Sequence, residues 1–254
     1  MKKTLVTLAV VTLTGLGVFC YAASRPARVV SHDTTSTTTP TKVPVKQPST
    51  FDTKQLSTID PTSLWVVVNK QHALQPASYA PSDLVIPNVP LRVPGNATMK
   101  LRAEPAAAVE RMFAAAKADG LGLMVSSGYR SYDYQVSLYS GYVSSAGQAQ
   151  ADVQSARPGY SEHQTGLAFD VEPVSRTCEL EQCFADTPEG KWMAAHAYNY
   201  GFILRYTPVD VSVTGYESEP WHFRYVGGAL AGEIHHTGAS TLETFFGITG
   251  GDKY

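Results

Sequence analysis

The chain has 254 residues, 43% of them hydrophobic, which is enough for one full-sized core and too little for several large domains. Its formal net charge of −2 lacks the basic footprint that phosphate-backbone binding requires, so nucleic acid is excluded as the expected partner. One folded domain behind an N-terminal tail is the expected organisation.

Met1, Lys2 and Lys3 lead into an apolar stretch from Leu5 to Ala23, diluted by Thr7, Thr12, Thr14, Gly15 and Gly17, which is the layout of an export signal. The stretch also lies near the lower limit for crossing a bilayer, roughly 17 to 20 residues. A signal cleaved after Ala22 and a retained membrane anchor therefore both stay open for residues 1–23, and either places the domain outside the cytoplasm. Cys20 is a poor lipid-attachment site, because bulky Phe19 stands where a small residue is wanted. Residues 24–53 are rich in Thr, Ser, Pro and Lys (TTSTTTPTKVPVKQPST), a composition that cannot bury enough apolar surface to fold. They read as a disordered linker, and the folded domain is assigned to residues 54–254.

Within that domain Leu64–Val68 is an apolar, β-branched run suited to a buried strand. Glu104–Asp119 is the clearest helix: Pro105 suits a first-turn position, Val109, Met112, Phe113 and Ala116 follow the spacing of one buried face, and Gly120 can stop it. A strand at Leu121–Ser126 and a helix from Tyr132 to Gly147 follow. Cys178 and Cys183, close together in a loop, are expected to form a disulfide, with a half-built metal site as the rival reading. A third helix has Thr187 as N-cap, Pro188 in its first turn and Gly201 just beyond its end. Strands are expected at Phe202–Tyr206 and Trp221–Val226. Helices and short strands in mixed order, without regular βα alternation, indicate an α+β fold.

The chemistry is concentrated in Ser161-Glu162-His163-Gln164-Thr165-Gly166-Leu167-Ala168-Phe169-Asp170 and, fifty-odd positions later, Glu219-Pro220-Trp221-His222. A catalytic zinc site takes three ligands from His, Asp and Glu and leaves a fourth position open, and His163, Asp170 and His222 would fill that requirement. The seven-residue step from His163 to Asp170 is too long for a helix to bring the two side chains to one ion, being about 10.5 Å of rise, but a turn at Gly166 can bring both together. Asp170 lies in an apolar strand, where a carboxylate is costly to bury without a cation or hydrogen bonds. Glu219 can share the site as general base, with Glu217 as its competitor. Arg130, in the polar turn Ser126-Ser127-Gly128-Tyr129-Arg130-Ser131, is the candidate for stabilising developing negative charge, against the plainer reading of a surface arginine. Trp221 is a candidate for lining a substrate groove or for ordinary packing. His32, His72, His196, His235 and His236 have no matching ligand set.

Taken together, Ser-Gly-Tyr-Arg-Ser with Gln135, then Ser161-x-His163-x-x-Gly166-x-Ala168-x-Asp170, then Glu219-x-Trp221-His222-x-Arg224-Tyr225-Val226, resemble the VanY-type D-alanyl-D-alanine carboxypeptidases over roughly Asp60 to His236. The resemblance implies a compact α+β domain whose small antiparallel sheet carries a zinc ion on His163, Asp170 and His222. It further implies Glu219 as catalytic base, Arg130 on the scissile carbonyl or the intermediate, and Gln135 and Ser161 as substrate-binding residues. The implied reaction is removal of the terminal D-alanine from peptidoglycan stem peptides by a metal-activated water, in a monomer with a possible tether through the N-terminal segment. An L,D-carboxypeptidase or a cross-link endopeptidase needs the same metal and base. A non-catalytic wall-binding module or a general secreted protease are readings of other classes, the former disfavoured by the intact Glu219.

Overall fold

The computed structural model describes residues 51–254, so the export signal, the anchor alternative and nearly all of the linker lie outside the described residues. Among the described residues no helix is long and apolar enough to cross a membrane. The elements in chain order are β1 (Leu84–Val85), β2 (Leu101–Arg102), α1 (Ala103–Ala118), β3 (Leu123–Ser127), α2 (Tyr132–Ala146), α3 (Gln148–Gln154), β4 (Ala168–Pro173), α4 (Pro188–His196), β5 (Phe202–Tyr206), α5 (Val211–Thr214), β6 (Glu219–Tyr225), α6 (Gly228–Thr237) and α7 (Leu242–Phe246). This is the α+β architecture that the mixed order of elements predicts.

β3, β4, β6 and β5 form, in that spatial order, one antiparallel sheet, and β1 and β2 form a separate two-stranded ribbon. β4 and β6 occupy the middle of the four-stranded sheet. All six residues of β4 are buried. Successive strand residues point to opposite faces, and each face has its own core. On one side Val109, Met112, Phe113 and Ala116 of α1 pack against Phe169, Val171, Phe202 and Phe223. On the other, Ile203 meets Trp65, Val67 and the Leu230, Ala231 and Ile234 face of α6.

Helix boundaries follow local chemistry. Ser131 and Thr187 cap α2 and α4 by accepting from the N–H groups of Tyr134 and Gly190, which satisfies donors that a helix start otherwise leaves unpaired. α4 continues as a 3-10 turn to Tyr200 before left-handed Gly201 ends it. After Gly147 the chain turns into α3, a short helix with no sequence signal strong enough to separate it from its neighbour.

Leu64–Val68 departs from expectation: it is buried but forms no strand. Its side chains do alternate, with Val66 and Val68 entering one core and Trp65 and Val67 the other. Its carbonyls are claimed by a side chain instead of a neighbouring strand, since Arg224 Nη2 donates to Leu64 O (3.0 Å) and Val66 O (2.8 Å). Phe51 packs its ring on Trp65 and Phe245, with centroids 5.4 and 5.8 Å apart.

Candidate active site

The short turn Glu162–Thr165 and left-handed Gly166 (φ 66°) reverse the chain into β4. The reversal favours glycine for its left-handed conformation, and a β-carbon there would also press on the Leu84 side chain at 2.9 Å. The turn delivers His163, and the centre of the sheet delivers the other two candidates, because Asp170 on β4 is the direct ladder partner of His222 on β6. The ligand atoms of His163, Asp170 and His222 lie within 4.8 Å of one another, and all three residues are buried. Asp170 Oδ1 is 3.4 Å from His163 Nε2 and 3.4 Å from His222 Nδ1. Ligands at about 2.0 to 2.1 Å from a tetrahedral zinc stand about 3.3 to 3.4 Å apart. His163 Nε2 and Asp170 Oδ1 are buried without hydrogen-bond partners, a costly arrangement in a protein interior that a cation would relieve. The donor set and its spacing thus fit a zinc ion.

Each candidate ligand is held from behind by a second group. His163 Nδ1 faces Gly128 O at 2.7 Å and must be the protonated nitrogen there, which leaves Nε2 with a lone pair facing inward. That carbonyl is in place because Gly128 packs so tightly on Lys100 that a β-carbon would meet Lys100 O at 2.4 Å. Ser127 Oγ donates to Asp170 Oδ2. His222 Nε2 lies 3.3 Å from Glu162 Oε2, so Nδ1 turns toward the cluster. Glu162 in turn accepts from Arg205 Nε and Arg224 Nη1, both at 2.8 Å on Oε1. Arg205 also makes a two-pronged contact with Glu243 (2.9 and 2.7 Å), which Asn69 buttresses at 3.0 Å. Two carboxylates and two guanidinium groups therefore sit in the interior with their charges matched.

These surroundings set the protonation states. Burial, reinforced by the charge of Arg130, pulls His163 down to about 4, so its ring is neutral at pH 7. Burial would lower His222 too, but hydrogen bonding to Asp170 and Glu162 outweighs it and raises this group to about 9, so a cation binding at Nδ1 would have to displace a proton. Burial opposes ionisation of Asp170, yet His163 and His222 hold it well below the usual carboxylate range. Glu219 is pushed up to about 7, chiefly by burial, with Asp170 adding like-charge repulsion and His222 opposing.

A cavity of about 190 Å³ opens onto the cluster, lined by Arg130, Tyr142, Gln154, Ser155, Asp170, Leu180, Glu219 and Trp221. A second, of about 280 Å³, shares Tyr142, Gln154, Leu180, Glu219 and Trp221 and extends it toward Glu217. Glu219 Oε2 is 3.4 Å from His222 Nδ1 and its side chain stays 22% exposed, so it borders both the cluster and the cleft. Glu217 is exposed and reaches only the outer cavity. Arg130 is tied down by its backbone N–H, which donates to His163 O at 3.2 Å, while its buried Nε has no partner. Trp221 lines both cavities. Gln135 and Ser161 do not line either: Gln135 is buried and donates to Ala156 O (2.7 Å) and Ser155 Oγ (3.2 Å), and Ser161 is buried just before the turn that carries His163. Cys178 and Cys183 are joined in a disulfide, and their loop supplies Leu180 to the cleft wall.

Ser127, Gly128, Glu162, Arg205 and Arg224 escaped the sequence reading as supporting groups. A usable signal existed for Arg205 and Arg224, because each is a charge inside an apolar strand, the same argument that singled out Asp170.

The VanY family model, described as D-alanyl-D-alanine carboxypeptidase, matches residues 98–228. The putative carboxypeptidase YodJ of Bacillus subtilis is 46% identical over 188 residues, covering 74% of this chain and 68% of that protein. Among solved structures, the LdcB LD-carboxypeptidase, whose structure is described as revealing the basis of peptidoglycan recognition, superposes with a TM-score of 0.69 and 44% identity over 75% of this chain and 89% of its own. A variant of the vancomycin-resistance D,D-pentapeptidase VanY in complex with Zn(II) superposes with a TM-score of 0.57 and 31% identity over 72% of this chain and 98% of its own.

Proposed function

This chain belongs to the VanY family of D-alanyl-D-alanine carboxypeptidases, and from that premise we propose that it is a zinc-dependent enzyme that removes the terminal D-alanine from peptidoglycan stem peptides. The observation that carries the reading is the convergence of His163, Asp170 and His222, with His163 Nε2 and Asp170 Oδ1 lacking hydrogen-bond partners, on a cleft that also holds Glu219 and Arg130.

His163 Nε2, Asp170 Oδ1 and His222 Nδ1 would hold the ion. Bound zinc supplies a Lewis acid that polarises the scissile carbonyl and makes a water more acidic. Glu219, which borders both the cluster and the cleft, takes the proton of the attacking water and returns it to the departing amine. The water oxygen bonds to the carbonyl carbon, the C–N bond breaks, and D-alanine leaves with the transferred proton on its amine. Arg130, aimed into the same cavity, stabilises the negative charge that develops on the former carbonyl oxygen.

A second reading, an L,D-carboxypeptidase acting on tetrapeptide stems, is favoured by the greater likeness to LdcB than to the D,D-pentapeptidase. Mass spectrometry on muramyl pentapeptide and tetrapeptide stems, with zinc and with a Glu219→Ala control, separates the two. Loss of one alanine from the pentapeptide alone supports the D,D reaction, loss from the tetrapeptide supports the L,D reaction, and cleavage of neither overturns both. The same proposal places the domain outside the cytoplasm, a location supported by the N-terminal signal pattern and by the Cys178–Cys183 disulfide, since such bonds persist in oxidising compartments. Fractionation of cells expressing the full chain tests it, and recovery in the cytosol with both thiols reduced would count against it.

A further inference from the structure

The ring closed by Cys178 and Cys183 forms one wall of the cleft, facing Tyr142 and Gln154 from α2 and α3. Leu180 lines both cavities, whereas Gln182 reaches only the outer one. The ring's backbone is not one that its residues choose locally. Cys178 (φ 58°) and Leu180 (φ 51°) lie in the left-handed region, which side chains with a β-carbon avoid. The conformation must therefore be imposed by what closes and anchors the ring.

Four attachments do so. The disulfide joins its ends, and Cys178 packs against the main core. Gln182 Nε2 donates to Ser218 O, the residue immediately before Glu219. Arg92 bridges Glu179 of the ring to Glu172 on β4. The ring is thus fastened to both strands that carry the catalytic cluster, and what it offers the cleft between them is one apolar side chain beside Trp221 and Glu219.

We propose that the Cys178–Cys183 ring is a positioning element and that Leu180 is a specificity-determining residue, packing the small apolar side chains of the alanyl residues that flank the scissile bond. This rests on the stem-peptide reading above and deepens it. A methyl group beside a charged general base needs an apolar surface to exclude water, and Leu180 is the aliphatic side chain that both cavities share.

The test uses the zinc-loaded full chain, with kcat and KM measured on pentapeptide and tetrapeptide stems for wild type, Leu180→Ala, Leu180→Met and Cys178→Ser/Cys183→Ser, together with zinc content and far-UV circular dichroism. Leu180→Ala is expected to raise KM about tenfold with kcat nearly unchanged, and to alter the pentapeptide-to-tetrapeptide preference. Leu180→Met should restore most of the loss. The chain without the disulfide, and wild type reduced with tris(carboxyethyl)phosphine, which lacks zinc-chelating thiols, should reproduce the KM rise while keeping zinc and fold. An active wild type whose KM and preference are indifferent to Leu180→Ala would overturn the proposal alone. A KM rise confined to Leu180→Ala would overturn the ring's positioning role, and a wild type inactive on both stems would overturn the proposal together with the reading on which it rests.

Discussion

Ser127 Oγ holds Asp170 Oδ2 at 2.5 Å, which leaves Oδ1 as the oxygen facing His163 and His222. The hydroxyl acts on the cluster through its hydrogen bond to Asp170, so its contribution is orientation. Ser127→Ala is expected to weaken zinc binding about 10- to 100-fold without loss of fold, measured by competition with a chromophoric chelator. An unchanged affinity would show that β4 alone fixes the carboxylate.

Glu219 borders the cluster without being one of its three members, and removing its carboxylate should separate chemistry from metal binding. Glu219→Gln is expected to lower kcat by about 100- to 10,000-fold while the protein retains its zinc. Loss of both together would make Glu219 a ligand and require a different base.

Arg130 lines the cavity that Glu219 also lines, and its Nε is buried without a hydrogen-bond partner. Arg130→Ala should reduce kcat about 100- to 1,000-fold with zinc content intact. Arg130→Lys should recover only part of that loss, because an ammonium keeps the charge but not the planar fork. Equal activity of Lys and Arg at this position would reduce the group's role to bulk charge.

Glu162 is fully enclosed between Arg205, Arg224 and His222. Glu162→Ala would leave two guanidinium groups short of their shared counter-ion, and the expected loss of stability is about 3 to 5 kcal/mol by urea denaturation. A loss under about 1 kcal/mol would mean that water enters to replace the carboxylate.

The same network sets the response to acid. Burial alone would raise the carboxyls of Glu162 and Glu243, but the guanidinium groups overcome it and hold both below their ordinary 4.5. Groups depressed in the folded state stay ionised there while the unfolded chain takes up protons, so their stabilisation is complete above about pH 4.5 and is lost as pH falls toward the folded values. The urea midpoint should be flat in this respect from pH 7 to 5 and should drop steeply below 4.5. In Glu243→Gln the drop should be shallower, and an identical acid limb in that variant would assign the effect to other carboxylates.

The His163, Asp170 and His222 cluster was legible because chemistry and spacing coincide in it: two histidines and an aspartate, with a glycine where the chain must turn back. α1 and the strands of the main sheet were legible for the same reason, since periodicity and burial agree. Leu64–Val68 was misread because an apolar, β-branched run says nothing about what the backbone bonds to, and here the partner is a side chain 160 residues away. Gln135 and Ser161, assigned to substrate binding by resemblance, are both buried and line neither cavity. The Glu162–Arg205–Glu243 network is invisible along the chain because its members are brought together only by strand pairing and the packing of α7.

Direct pairing of Asp170 with His222 would make the sheet and an ion bound at the cluster a single equilibrium. Sliding β4 against β6 by one residue would turn every side chain of one strand to its opposite face and separate the two ligands. An ion captured between them would act as a proofreader of folding, retaining only chains whose central strands are in step. At free zinc one hundredfold above the dissociation constant, that selection amounts to about 2.7 kcal/mol in favour of the correctly paired chain. Metal supply during synthesis would then govern the yield of folded protein as well as its activity.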